Sequence, residues 1–236
     1  MSEPVNPAPR ETRRYDSRRR REQAAATRSD ILRAAAALFD RQGYAGTTIT
    51  AVAREAGVAP KTVYLAFESK SRLLRAVWDV RLRGPRDVAV ADQPWYREVV
   101  EEPDPAQMLR LNARNSRRVK ERAAGLLRVI RDAAPVDADA ADLWALIQDD
   151  FYANQRAIAA ALAEHGHLRR DLDVARATDI LWTLNHPDVW QLLVGERGWS
   201  PDDFETWFGA VCQAQLLEPP PDGRAAPPRF EERGHG

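Results

Sequence analysis

Apolar positions recur at helical spacing through most of this chain, and no segment alternates with period two for long. From about Glu22 to Arg41, Ile31, Ala35, Leu38 and Phe39 fall at i, i+4, i+7 and i+8, and Gly43 then supplies a left-handed stop. Thr47 or Thr48 offers an oxygen to free backbone amides. Ile49, Val52, Ala53 and Ala56 form the next apolar face, which Gly57 ends. Pro60 opens a third segment running to Phe67, with Val63 and Phe67 inward. Ser69 caps a fourth, whose Leu73, Leu74, Val77 and Trp78 continue inward until the Gly84-Pro85 break.

Beyond the break, DVAVADQPWYREVVEEPDP has no sustained period and predicts a connecting region with room for a turn of helix. Two patterns follow, over 105–121 with Met108, Asn112, Asn115 and Val119 on one stripe, and over 123–133 with Leu126, Leu127 and Ile130 together. Residues 138–165 align Leu143, Ile147, Phe151, Ile158 and Leu162. Residues 174–195 align Trp182, Asn185, Val189 and Leu193, with Pro187 a kink or restart. The last helix opens on Ser200-Pro201-Asp202-Asp203, a hydroxyl cap, a proline and two acids facing the helix dipole. The chain reads as all-α.

Composition changes this picture in two places. Net charge is zero, yet residues 10–81 carry a net +8 and residues 82–236 a net −7, so a polyanion-binding front end is joined to a back end with another task. The stretch RETRRYDSRRRRE holds seven Arg and three acids, and it reads as an unanchored basic arm. A single cysteine, Cys212, excludes an internal disulfide and any cysteine-built zinc site. Apolar runs are too short to cross a bilayer, and the Arg-rich start has no apolar segment behind it, so we expect a cytoplasmic protein.

Two short helices joined by a tight glycine turn and braced by a longer helix match the helix-turn-helix plan. A helix of eight residues spans about 12 Å, which suits a major groove about 12 Å wide. With Val63 and Phe67 inward, Lys61, Thr62 and Ala66 lie on or near the outer face, Tyr64 lies at its flank, and Lys70 adds a charge beside it.

The run ILRAAAALFDRQGYAGTTITAVAREAGVAPKTVYLAFESKSRLLRAV closely resembles the DNA-binding domain of the tetracycline-repressor (TetR) family of transcriptional regulators. Its landmarks occur together and in register: Ala-Ala-x-x-Leu-Phe into Gly43-Tyr44, the Thr-Thr start, Ala-x-x-Ala-Gly-Val, and Thr-Val-Tyr-x-x-Phe-x-x-Lys. The resemblance implies that Tyr64, Lys70 and Thr48, with Thr47 beside it, grip phosphates, and that Pro60, Lys61 and Thr62 meet bases. Arg18, Arg19, Arg20 and Arg21 precede the first helix, where an arm can enter a minor groove. Ala59 departs from the family's usual capping residue, and Leu65-Ala66 from its usual aromatic or basic pair.

On this basis the chain divides into a disordered basic arm (1–21), a helix-turn-helix DNA-binding domain (22–68), a connecting helix (69–84), a helical effector-binding and dimerisation domain (85–218) and a disordered tail (219–236). The resemblance implies a double-stranded DNA operator, a homodimer and a small-molecule effector as partners, with repression as the default. The closing stretch DILWTLNHPDVWQLLVGERGWSPDDFETWF looks like that of a subgroup of actinobacterial regulators, and 32 Arg against 3 Lys agrees with a GC-rich source.

For the effector pocket the candidates are Trp95, Trp144, Phe151, Tyr152 and Trp182, with Asn112, Asn115, Asn185 and His186 as polar anchors. For the dimer face, a bundle of 174–194 and 201–217 from each subunit, they are Trp190, Leu193, Phe204 and Trp207. Phosphate-loop, dinucleotide, zincin and nucleophile-elbow motifs are all missing, and His165 and His167 are two apart, off a shared helical face. We therefore expect no enzyme, cofactor or metal. The competing reading is an architectural DNA binder whose second half only dimerises or docks a protein.

Overall fold

A computed structural model describes residues 10–83 and 93–219, with side chains from Arg19 onward except that of Arg83. The described residues form ten α-helices and no strand. They fall into two units, divided inside the fourth helix between Val77 and Trp78. The Gly84-Pro85 break, the side chain of Arg18 and nearly all of the proline-rich tail lie outside the described residues.

The first unit holds α1 (Arg10–Gly46), α2 (Ile49–Glu55), α3 (Pro60–Phe67) and most of α4 (Lys70–Arg83). Helix α1 begins at Arg10, so the segment expected as an unanchored arm is helical over 10–21. From Arg10 to Ala26 there is no Pro or Gly, and Arg, Glu, Gln and Ala are good helix formers. Its regular course stops at Gly43, where φ is 69°.

The expected inward positions are inward, except that Ala56 is only half-buried. Ile31, Ala35, Leu38, Phe39, Val52, Ala53, Val63, Phe67, Leu73, Leu74 and Val77 are buried. Phe39 and Tyr44 stack at 6.2 Å between centroids.

The second unit contains α5 (Pro94–Val100), α6 (Pro105–Ala133), α7 (Ala138–Glu164), α8 (Val174–Leu184), α9 (Pro187–Trp190) and α10 (Pro201–Leu216). The two patterns expected over 105–121 and 123–133 are one helix, because nothing between them breaks it: Arg122, Ala123 and Ala124 all favour helix. Pro187 does restart the chain, after α8 stops at Leu184, and α9 runs on into a π-helical stretch, Gln191–Glu196.

Side-chain caps start most of these helices. Asp104 accepts from the amides of Ala106 and Gln107, Asp137 from that of Ala140, and Asp173 from that of Arg176. Ser200 and Asp203 form a reciprocal capping box at α10. The core lies where α6, α7, α8 and α10 meet, around Met108, Leu109, Ile158, Leu162, Leu181, Phe204 and Phe208. Among the described residues no helix is long and apolar enough to cross a membrane.

Candidate nucleic-acid interface and interior polar cluster

The turn between α2 and α3 is built around Gly57, whose φ is 68°. The amide of Val58 donates to the Ala53 carbonyl at 2.9 Å and that of Gly57 to Arg54 at 3.2 Å, the paired bonds of a Schellman stop. Thr48 caps α2 by accepting from Ala51 N–H at 3.1 Å; its hydroxyl proton, on an exposed side chain, is left to donate outward. Thr47 does not belong to this surface. It is fully buried, and its hydroxyl donates to the Gly43 carbonyl at 2.8 Å, where it closes the end of α1.

Helix α3 hangs on Val63 and Phe67. From α1, Arg28 donates to the Ala66 carbonyl at 3.0 Å while its guanidinium lies 4.2 Å from the centroid of the Phe67 ring. No side chain caps α3 at Ala59, as its sequence foretold.

Facing away from the core are Pro60, Lys61, Tyr64 and Leu65, all exposed, with Thr62 and Ala66 half-buried at the side. At 100° per residue, Leu65 stands opposite the buried pair Val63 and Phe67, with Lys61 next to it. Leu65 is 77% exposed and Tyr64 53%. The outer face thus has an apolar centre that was missed in the sequence, where Leu65 counted only as a departure from the family's aromatic or basic pair. The period-3.6 projection of this one helix contains the signal.

Lys70 is not a free arm. Its ammonium donates to the Tyr44 carbonyl at 2.9 Å and lies 3.9 Å from the centre of the Tyr44 ring, tying the start of α4 to the end of α1. Arg19, Arg20 and Arg21 are exposed along the early turns of α1.

In the second unit the candidate polar anchors separate into distinct places. Asn115 donates to the Trp95 carbonyl at 3.0 Å. Asn185 enters a buried cluster with Ser116, Lys120 and Gln155. Ser116 Oγ and Lys120 Nζ both hydrogen-bond to Asn185 Oδ1, Lys120 Nζ also reaches Ser116 Oγ at 2.7 Å, and Asn185 Nδ2 meets Gln155 Oε1 at 3.4 Å. Burial lowers the Lys120 amine to about 7, since an ammonium is poorly solvated there.

Lys120 was missed in the sequence. The available signal was Asn112, Ser116 and Lys120 at i, i+4 and i+8 on a helix face that is otherwise apolar.

His186 sits beside this cluster, between Trp182, 4.9 Å between ring centroids, and Phe151, 6.5 Å away. Its Nδ1 accepts the Asp188 amide at 3.2 Å and so caps α9. The ring proton then belongs on Nε2, 3.3 Å from the side-chain amide of Gln148, where an amide turned to present its oxygen accepts it. Burial holds the imidazole below its ordinary value.

Trp144 lies apart, against a shallow cleft shared with Arg131, Pro187 and Asp188 that encloses about 10 Å³, the scale of one water. Tyr152 is on the outside, its hydroxyl donating to Asp179 at 3.2 Å, and leaves the candidate set. Trp190 and Phe204 leave the dimer candidates. They are 6% and 0% exposed and meet edge to face at 4.9 Å within the core, because both belong to the inward stripes of their own helices. Leu193 and Trp207 stay half-buried.

These features define a class: a helix-turn-helix unit with an exposed recognition-type helix, joined in sequence to an all-helical second unit. Residues 31–77 match the family model of bacterial regulatory proteins of the tetR family. Over 64 residues the chain is 34% identical to the HTH-type transcriptional regulator AcrR of Shigella flexneri, a match covering 27% of this chain and 30% of that protein.

Whole-chain similarity is structural. NalD, the secondary repressor of the MexAB-OprM multidrug efflux pump in Pseudomonas aeruginosa, superposes with a TM-score of 0.64 at 21% identity, covering 83% of this chain and 98% of that one. SmeT in its triclosan complex gives 0.64 at 21%, covering 82% and 92%. PfmR, a TetR-family regulator from Thermus thermophilus, gives 0.58 at 23%, covering 79% and 96%. Residues 31–77 thus carry the segment of the tetR-family model, and the likeness over the whole chain is one of fold.

Proposed function

We propose that this protein is a ligand-responsive transcriptional regulator that binds a pseudo-palindromic operator as a homodimer, represses, and is released by a small-molecule effector. The observation that carries this reading is the outer face of α3. Lys61, Tyr64 and Leu65 stand exposed on a helix anchored by Val63 and Phe67, within the segment that matches the family model. In this reading Lys61 and Leu65, flanked by Pro60 and Thr62, meet base edges, an apolar side chain suiting a thymine methyl group. Tyr64 and Thr48 meet phosphates, Lys70 holds the unit together beside them, and Arg19 to Arg21 add charge that attracts the duplex.

The second unit is the sensor and the dimer former. Its buried polar cluster supports the first role, and Leu193 and Trp207 on half-buried faces support the second. A cytoplasmic protein of actinobacterial type completes the reading, on the Arg-to-Lys ratio and the closing stretch.

The test is selection of bound duplexes from a randomised pool, followed by footprinting. Two inverted half-sites with centres about 34–36 Å apart, or a multiple of that, are expected. A single half-site, or a monomer in sedimentation of the DNA-bound protein, overturns the dimeric operator.

A further inference from the structure

Lys120 differs from the other basic residues that α6 turns toward its neighbours. Arg117 pairs with Asp202 and with Glu205 on α10, and Arg131 pairs with Asp188 on α9. Lys120 is 5% exposed and more deeply placed than either, yet among the described residues it pairs with no carboxylate. Its partners are a hydroxyl and a carboxamide oxygen, both neutral, with the Phe204 ring centroid 5.5 Å from Nζ. A buried ammonium compensated only by dipoles is costly, and an apolar side chain of the same length would fill the site at less cost.

A second group on the same stripe also lacks compensation. Asn112 is 7% exposed and its Nδ2 has no hydrogen-bond partner. It precedes Lys120 by eight residues, about 12 Å of helix rise. One face of α6 therefore presents a cation without an anion at one point and a donor without an acceptor two turns away.

We propose that the second unit takes an elongated, mainly apolar monocarboxylate, whose carboxylate is held by Lys120 and whose body runs along α6 toward Asn112. This rests on the reading of that unit as the sensor. The carboxylate replaces Asn185 as the acceptor for Lys120, and Ser116 remains as a second donor to it. Asn185 is the residue at which α8 stops, and His186 after it caps α9. Occupation of Lys120 thus releases a side chain at the break between these helices, which gives the ligand a route to change the fold around it. A cationic ligand meets repulsion at this point, and a neutral one leaves the ammonium uncompensated.

The groups that face Lys120 fix how binding depends on pH. From α10 they are Phe204 and Cys212, whose thiol burial keeps protonated; from the α8–α9 break, Asn185 and the nearby His186, held neutral by burial; from α7, Gln155; from α6 itself, Ser116. None of these supplies a negative charge at neutral pH. An amine that is partly neutral in the free protein takes up a proton when the carboxylate arrives, so affinity falls as pH rises above about 7.

The experiment uses the full chain and the straight-chain monocarboxylates from acetate to dodecanoate, each beside its primary amide. Thermal melting and proton uptake are followed by calorimetry at several pH values. We expect the longer carboxylates to raise the melting temperature where their amides do not. In Lys120→Met, similar in length and volume, their affinity falls roughly thirtyfold or more, and the variant's own melting transition shows that it is folded. Carboxylates that act no differently from their amides anywhere in the series, or that act equally on Lys120→Met, overturn the proposal.

Operator binding measured in parallel separates this inference from the reading beneath it. Carboxylate binding through Lys120 that leaves DNA affinity unchanged upholds the site and removes the sensor role. Release from DNA by a neutral ligand that ignores Lys120→Met upholds the sensor role and removes the carboxylate.

Discussion

Lys70 reaches back across the first unit to Tyr44, donating to its carbonyl at 2.9 Å with the ammonium 3.9 Å from the ring centroid. One side chain thereby satisfies a carbonyl at the irregular end of α1 and fixes where α4 starts, immediately after α3. The lysine's charge matters here for architecture as well as for any phosphate nearby.

Replacing Lys70 is therefore expected to cost stability before any DNA is present. Lys70→Ala should lower unfolding stability by about 1–2 kcal/mol, through loss of a charge-assisted hydrogen bond and a cation–π contact. Chemical denaturation of the DNA-free protein measures it. A variant as stable as the parent, weakened only toward DNA, would assign the lysine wholly to phosphate.

Glu68 joins α3 to α4 at φ 62° and ψ −46°, and the amide of Ser69 donates back to the Phe67 carbonyl at 2.6 Å. This is a γ-turn of the strained hand, in a region that L side chains avoid. Glu68→Gly removes the clash at the cost of unfolded-state entropy and of an exposed ion pair with Arg72 that contributes little. We expect a gain of about 1 kcal/mol in stability, read from the shift in melting midpoint; a loss of similar size would show that the turn is unstrained.

Much of this was legible in the sequence, and the exceptions share a cause. Helix existence, the Gly57 turn, the Ser69 and Ser200 caps and the inward pair Val63 and Phe67 follow from local chemistry and helical period. What failed depended on which of two adjacent candidates turns inward, or on which face of an apolar helix meets another. Thr47 and Thr48 are both plausible caps, and only the chain's course after Gly43 sends one hydroxyl inward and leaves the other outside. Trp190 and Phe204 have the aromatic character of an interface and are consumed by each other. Lys120 reads as a solvated charge until α8 and α10 are laid over it.

The outer face of α3 makes a prediction about sequence preference. Lys61→Ala should change which base is preferred at its position, by about 1–3 kcal/mol of discrimination. Leu65→Ser should relax a preference for thymine at the adjacent position. Tyr64→Phe should instead weaken every duplex alike, since a phosphate contact carries no sequence information. Binding to a library of operator variants separates these outcomes, and a uniform loss for Leu65→Ser would remove it from base reading.

Lys120 should also leave a signature in stability against pH with no ligand present. Its amine titrates near its ordinary 10.5 in the unfolded chain and at about 7 in the folded one. Between those values the unfolded chain holds a proton that the folded chain does not. Raising pH from about 7 toward 9 therefore stabilises the second unit, with a slope on the order of 1.4 kcal/mol per pH unit, and below about pH 7 the penalty is complete and constant; above 9.0 the Cys212 thiol, which burial keeps protonated while the unfolded thiol ionises, opposes it. His186, also depressed by burial, extends the loss of stability to pH values below its ordinary 6.5. All seven tryptophans lie from Trp78 onward, in this unit, so tryptophan fluorescence during denaturation follows it. Lys120→Met should remove the slope between pH 7 and 9 while keeping the acid-side loss, and should equal or exceed the parent in stability at neutral pH. A parent whose stability is flat or falling from pH 7 to 9 would mean that the amine is solvated in the folded protein.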